Sequence, residues 1–323
     1  MRLHIVPLLG VLTVLITLAV PPTSGGTAMT GAAASVAAFT PGSPGVGDPY
    51  FPTAGNGGYD VDSYDLALRY DPASDRLSGT ATIRARASMH LSAFDLDLDG
   101  LDVRAVSVNG VGAAWTRSGT ELVITPATGL PTGRAFTVAV RYIGIPTSTG
   151  RSGFMATDDG VIVAGEPEVA ATWFPVNDHP RDRAAYAMAI TVPTDLQVIA
   201  NGVPLGRVAA DPGWSTWRSR AAEPMAAYLA TIAVGSWDIT SRTVGGTDYL
   251  DAIDVDMVGT RTGDIAAAAF ARQPEILAFL AGIAGPYPFS AAGGILDDYA
   301  DLGFALETQT RPVYARSFFG DAD

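Results

Sequence analysis

From Tyr59 onward the chain alternates apolar and polar residues with a period of two, and short turn signals cut that alternation into pieces. Successive side chains on a strand point to opposite faces. Ala81, Ile83 and Ala85 therefore fall on one face of residues 77–87, and Thr82, Arg84 and Arg86 on the other. Residues 64–70 repeat the pattern and turn at Asp71-Pro72-Ala73-Ser74-Asp75. Residues 101–108, Asn109-Gly110 and residues 111–117 read as a hairpin, because Asn-Gly accepts the positive φ angles of the tightest hairpin turns. Residues 121–125 and 135–142 add strands, and Asn201-Gly202 marks a second hairpin between 196–200 and 203–208. Many short strands with regular turns predict a mainly β fold, an antiparallel β-sandwich or saddle. The 36 glycines and 22 prolines among 323 residues agree, since both interrupt long helices.

The pattern changes after Trp237. Residues 264–285 place Ile265, Ala269, Ile276, Phe279 and Leu280 at near-helical spacing, with Thr262 or Asp264 as the capping residue. Pro274 should divide this helix in two, and Pro286-Tyr287-Pro288-Phe289 closes it. An irregular approach over 294–301 then leads to the strand-like segment Leu302-Gly303-Phe304-Ala305-Leu306-Glu307-Thr308-Gln309. Its apolar tail residues, from Ile276 to Phe319, are expected to lack partners.

Net charge is −13, with twenty arginines and no lysine. Such a chain repels phosphate backbones, which argues against nucleic-acid binding. With no cysteine there are no disulfides, thiolate metal sites or cysteine nucleophile. Arg2, the apolar run 5–20, Pro21-Pro22 and a small-residue stretch follow the order of a secretory signal peptide, with cleavage after Ala28 or Ala34. Sixteen apolar residues interrupted by Pro7 are short for a span. The expectation is export, with no stable membrane span after cleavage and a secreted, extracellular product.

Two segments carry the chemistry. Glu307 is a lone glutamate in an apolar setting, and an unpaired carboxylate there is expensive unless it meets a cation. Glu166 stands in Gly165-Glu166-Pro167-Glu168, ahead of Ala171-Thr172-Trp173-Phe174-Pro175-Val176-Asn177-Asp178-His179-Pro180. Together they resemble the aminopeptidase N family of zinc metallopeptidases, in which G-A-M-E-N and a Gln/Glu ahead of A-F-P-C-x-D-x-P hold the free amino terminus of a peptide. Glu223-Pro224-Met225-Ala226-Ala227-Tyr228-Leu229-Ala230 before Gly235 extends the match. Phe304 and Thr308 depart from the motif's leading glycine and its asparagine. The resemblance implies that Glu166 and Glu307 bind the substrate ammonium, while Ala305 and Leu306 lie along the peptide backbone. Glu168 is near enough to compete with Glu166 for that assignment.

Other motifs resolve to structure. Asp95-Leu96-Asp97-Leu98-Asp99-Gly100 opens like a calcium loop, but its twelfth position is Val106 and not glutamate. Its acids are expected on a solvated strand face. His90 and His179 are too far apart in the chain to form the His pair of H-E-x-x-H, which is absent, and no G-x-S-x-G occurs. His179 and Asp178 read as turn and packing residues. No catalytic or metal-ligating residue is assigned.

The expected organisation is a signal peptide over 1–34, a Pro/Gly-rich linker over 35–58, an aminopeptidase β domain over 59–240, and the incomplete start of a thermolysin-like α+β catalytic domain over 241–323. By resemblance, the full-length enzyme uses zinc and removes N-terminal residues from peptides. This chain supplies the amine-binding glutamates, binds no zinc and is expected to be inactive alone. The alternative is a secreted, non-catalytic β-rich binding module.

Overall fold

In the computed structural model the described residues are 38–149 and 151–320, and the signal-peptide expectation over 1–34 lies outside them. The largest element is an eight-stranded sheet. Its order is Val203–Ala209, Trp214–Ala226, Arg183–Pro193, Tyr59–Asp71, Arg76–Ala87, Ala135–Gly144, Asp102–Val108 and Val111–Gly112. Alternation explains most of it: Leu66, Leu68 and Tyr70 are buried while Asp65, Ala67 and Arg69 are not. A bulge between Val61 and Ser63 shifts the phase, so that Val61 and Tyr64 both face inward. Neighbours are antiparallel except at the centre, where Arg183–Pro193 pairs parallel to Tyr59–Asp71.

A four-stranded sheet of Thr40–Pro41, Leu91–Asp97, Glu121–Thr125 and Ala114–Ser118 packs with it around one core. The expected strand 111–117 is therefore split. Val111–Gly112 closes the Asn109-Gly110 hairpin, and Ala114–Ser118 joins the other sheet. Trp173 and Phe174 plug this core, with Phe174 edge-on to Tyr64 at 5.5 Å and Tyr64 stacked on Tyr186 at 4.9 Å. Each large side chain so buried is worth about 1.5–3 kcal/mol.

The Pro/Gly stretch expected as a linker is, over its described part, packed onto this core. Asn56 is buried, its main-chain N–H donates to Asn177 Oδ1 (2.6 Å), and its amide donates to Asp97 Oδ2 (3.0 Å). Asp95 and Asp97 are likewise buried rather than solvated. Both faces of Leu91–Asp97 are covered near its end, where Asp97 bridges to Val176. Burial pushes Asp97 up to about 6, against hydrogen bonds from the Asp178 N–H and Asn56.

A third sheet holds Gly153–Ala156, Val161–Ala164, Ile232–Gly235 and Gln197–Ala200. The expected second hairpin is absent as such. Gln197–Ala200 pairs with Ile232–Gly235, whereas Val203–Ala209 pairs with Trp214–Ala226. Asn201-Gly202 is thus a corner between two sheets.

The last sheet runs Trp237–Val244, Thr247–Asp254, Ala291–Leu296, Val313–Tyr314 and Ala305–Leu306, with Ala291–Leu296 wholly buried. Helices α1 (Arg261–Ala271) and α2 (Gln273–Ala284) divide near Pro274, which sits at the start of α2 where its missing N–H is harmless. Thr260, not Thr262 or Asp264, caps α1 by accepting from the Gly263 N–H at 3.0 Å. The expectation of an unpartnered tail needs correction. Leu306, Val313 and Phe319 are buried, while Ile276, Phe279 and Leu280 stay exposed because α2 buries no residue, and Phe318 is exposed beyond the last strand.

Candidate substrate-amine site

Ala305–Leu306 is the edge strand of the last sheet, paired on one side with Val313–Tyr314. Leu306 turns into the core with Met155, Ile162 and Val313, and Ala305 is half-buried. Only main-chain groups of this pair are available along the open edge. Glu307 follows immediately and is exposed, not enclosed as its apolar setting implied. Thr308, Gln309, Thr310 and Arg311 then go back inside. Thr310 has φ 68°, a left-handed conformation that costs a β-branched residue about 1–3 kcal/mol unless its surroundings enforce it.

Glu166 leaves the end of Val161–Ala164 on a loop. Gly165 has φ 151°, and a Cβ there would meet Ser152 Oγ at 2.0 Å, so glycine alone allows the sharp exit. The loop also separates the two competing carboxylates. Glu168 lines a cleft of about 480 Å³ with Asp97, Asp99, Glu121 and Asp178. Glu166 reaches the surroundings of Tyr228 instead.

Tyr228 is where the two ends of the chain's chemistry meet. Burial pushes its phenol above the ordinary value, and the carboxylates of Glu307 and then Glu166 push it further, with Arg183 opposing. Two carboxylates from separate elements therefore act on one hydroxyl. Such a group suits an ammonium ion, whose three N–H donors need acceptors on more than one side. The wall beyond Glu307 opens into a cleft of about 440 Å³, lined by Ile276, Leu277, Tyr287, Phe289 and Tyr314 among others.

Zinc does not fit the donors described. His179 Nδ1 accepts from the Arg181 N–H at 3.0 Å and its Nε2 faces Asp48 at 3.5 Å, while His90 Nδ1 accepts from the Thr132 N–H at 3.1 Å. The histidines thus serve their own turns. Asp254, Asp256 and Asp298 bring carboxylate oxygens within 4.8 Å of one another, an all-oxygen set unlike a zinc site.

The Peptidase M1 N-terminal domain profile matches residues 61–229. This chain belongs to the M1 metallopeptidase family. An M1 zinc metallopeptidase from Deinococcus radiodurans is 26% identical with a TM-score of 0.76, and a mutant of that enzyme crystallised with a Tyr-Ser-Ala substrate is 27% identical with a TM-score of 0.75. A mutant two-domain M1 zinc metallopeptidase bound to L-tryptophan is 26% identical, with a TM-score of 0.76. Each match covers 84% of this chain and 64% of the other, so the chain spans less than two-thirds of their length. The mainly β architecture is that of the M1 N-terminal domain. Of the residues around the site, Tyr228 was legible as a member of the run 223–230 that extends the resemblance but carried no assigned role, and Asn201 was legible only as a turn residue. Arg311 carried no signal beyond its place after Thr310.

Proposed function

We propose that this chain is the substrate-capturing N-terminal portion of an exported zinc-dependent aminopeptidase, acting on peptides with a free N-terminus. The convergence of Glu166 and Glu307 on Tyr228 supports this reading. The peptide ammonium sits among the three side chains, and the open edge of Ala305–Leu306 offers main-chain groups to an extended peptide. An N-acetylated peptide has no charge to place there, which restricts action to chain ends. The reading concerns capture. Hydrolysis requires a zinc site that residues 1–323 do not encode as H-E-x-x-H, so this chain alone is expected to be inactive.

Magnitude decides how the test should look. In the open site each carboxylate is exposed, and an exposed ion pair is worth only about 0.2–1 kcal/mol. Once a peptide excludes water, a charged hydrogen bond is worth about 1.5–3 kcal/mol. In a longer form carrying zinc ligands, Glu307→Gln should lower kcat/KM on free-amine peptides roughly 10- to 100-fold. Equal turnover of free and N-acetylated peptides by the unmutated enzyme would refute the role. Peptide capture without turnover in every longer form would favour a secreted binding module.

A further inference from the structure

We propose that Asn201 and Arg311 are positioning residues for Glu307: together they clasp its loop onto the corner between two sheets of the N-terminal region. The inference rests on the reading of Glu166 and Glu307 as the amine-binding pair. Asn201 uses its whole amide. Its Nδ2 donates to the Gln309 carbonyl at 2.7 Å and to the Leu229 carbonyl at 2.9 Å, and its Oδ1 accepts from the Thr231 N–H at 2.7 Å. One side chain thus ties the segment two residues after Glu307 to the residue next to Tyr228. The Gly202 N–H donates to Thr310 Oγ1 at 2.8 Å, which pins the left-handed residue of the loop.

Arg311 completes the clasp from inside. It is fully buried, and its guanidinium donates to the carbonyls of Ala292, Thr310 (2.7 Å) and Gly202 (2.9 Å). Those oxygens belong to the central strand of the last sheet, the Glu307 loop and the corner. An apolar side chain could fill the same volume, but it could not fix three main-chain segments in one register. Gln309 adds a fourth tie through its Nε2 to the Glu223 carbonyl at 3.0 Å. A site carboxylate must be held within a fraction of an ångström, and Glu307 is exposed with little packing of its own. The precision must come from the residues that follow it.

The test uses the 323-residue chain and the Tyr228 phenol as reporter, followed by NMR of 13C-labelled tyrosine and assigned with Tyr228→Phe. Glu307→Gln removes an anion beside the phenol and should lower its pKa. Asn201→Ala and Arg311→Lys should lower it in the same direction, because Glu307 is no longer held there. The double variant Asn201→Ala/Glu307→Gln should shift no further than Glu307→Gln alone, since Asn201 acts through Glu307. A merely structural role predicts an unchanged titration in both clasp variants or additive shifts in the double variant, and either overturns the proposal. Circular dichroism checks folding, and the two separate clasp variants keep the outcome decisive if one does not fold. At about pH 6, where its amine is protonated, leucinamide should shift the Tyr228 ring resonance of the unmutated chain, and N-acetylleucinamide should not. If leucinamide causes no such shift while the clasp variants behave as stated, the amine reading fails and the positioning of Glu307 stands.

Discussion

Replacing Asp297 by asparagine should stabilise the protein, and more at pH 8 than at pH 5. Asp297 is buried at the end of Ala291–Leu296, and its Oδ1 accepts from the Tyr299 N–H at 2.8 Å. Burial pushes its carboxyl from 3.8 up to about 7, helped by the negative charges of Asp254, Asp298 and Asp159. A carboxyl whose folded value lies above its unfolded value holds its proton more tightly when folded. The stability it contributes is therefore complete below about pH 4 and is lost as pH rises through 7. Each pH unit across that window is worth about 1.4 kcal/mol, so between pH 5 and its folded value of about 7 the native aspartate loses roughly 2–3 kcal/mol. Asparagine keeps the acceptor for Tyr299, carries no charge, and turns an N–H toward the acidic neighbours. Urea denaturation with chelator present, at pH 5 and pH 8, should show the gain growing by that amount at constant m-value. An equal gain at both pH values, or a loss at pH 8, would refute the argument.

Gly202→Ala should cost at least about 2 kcal/mol, since φ is 78° and the added Cβ would meet the Arg220 carbonyl oxygen at 2.0 Å. Chemical denaturation checks this, and a change within about 0.5 kcal/mol of the native value would contradict it. Within residues 241–320, trypsin should cut first at Arg272, whose side chain is 65% exposed at the joint between the helices, and not at the fully buried Arg311. Mass spectrometry of the early fragments decides, and simultaneous cutting at both sites would show that the last sheet opens as readily as the helix joint.

Local periodicity determined what it physically controls. The strands at Tyr59–Asp71, Arg76–Ala87 and Ala135–Gly144, the Asn109-Gly110 hairpin and the division of α1 from α2 follow from side-chain alternation, positive-φ turn residues and proline. Glu307 and Glu166 could be named as candidates from motifs, because each stands in a short recognisable run of residues, and their joint role is the proposal made above. What lay beyond the sequence depended on partners distant along the chain. Asn201-Gly202 has the composition of a hairpin turn, yet its flanking strands found better partners in two different sheets. Asp95 and Asp97 alternate like a solvated face, but both are buried, Asp97 under Asn56 and Val176. Glu307 looked buried from its apolar neighbours and is exposed, because the edge strand turns Leu306 inward and leaves the next residue outside. Whether an acid faces solvent or core is set by which segment packs over it, and that is decided only when the whole chain has folded.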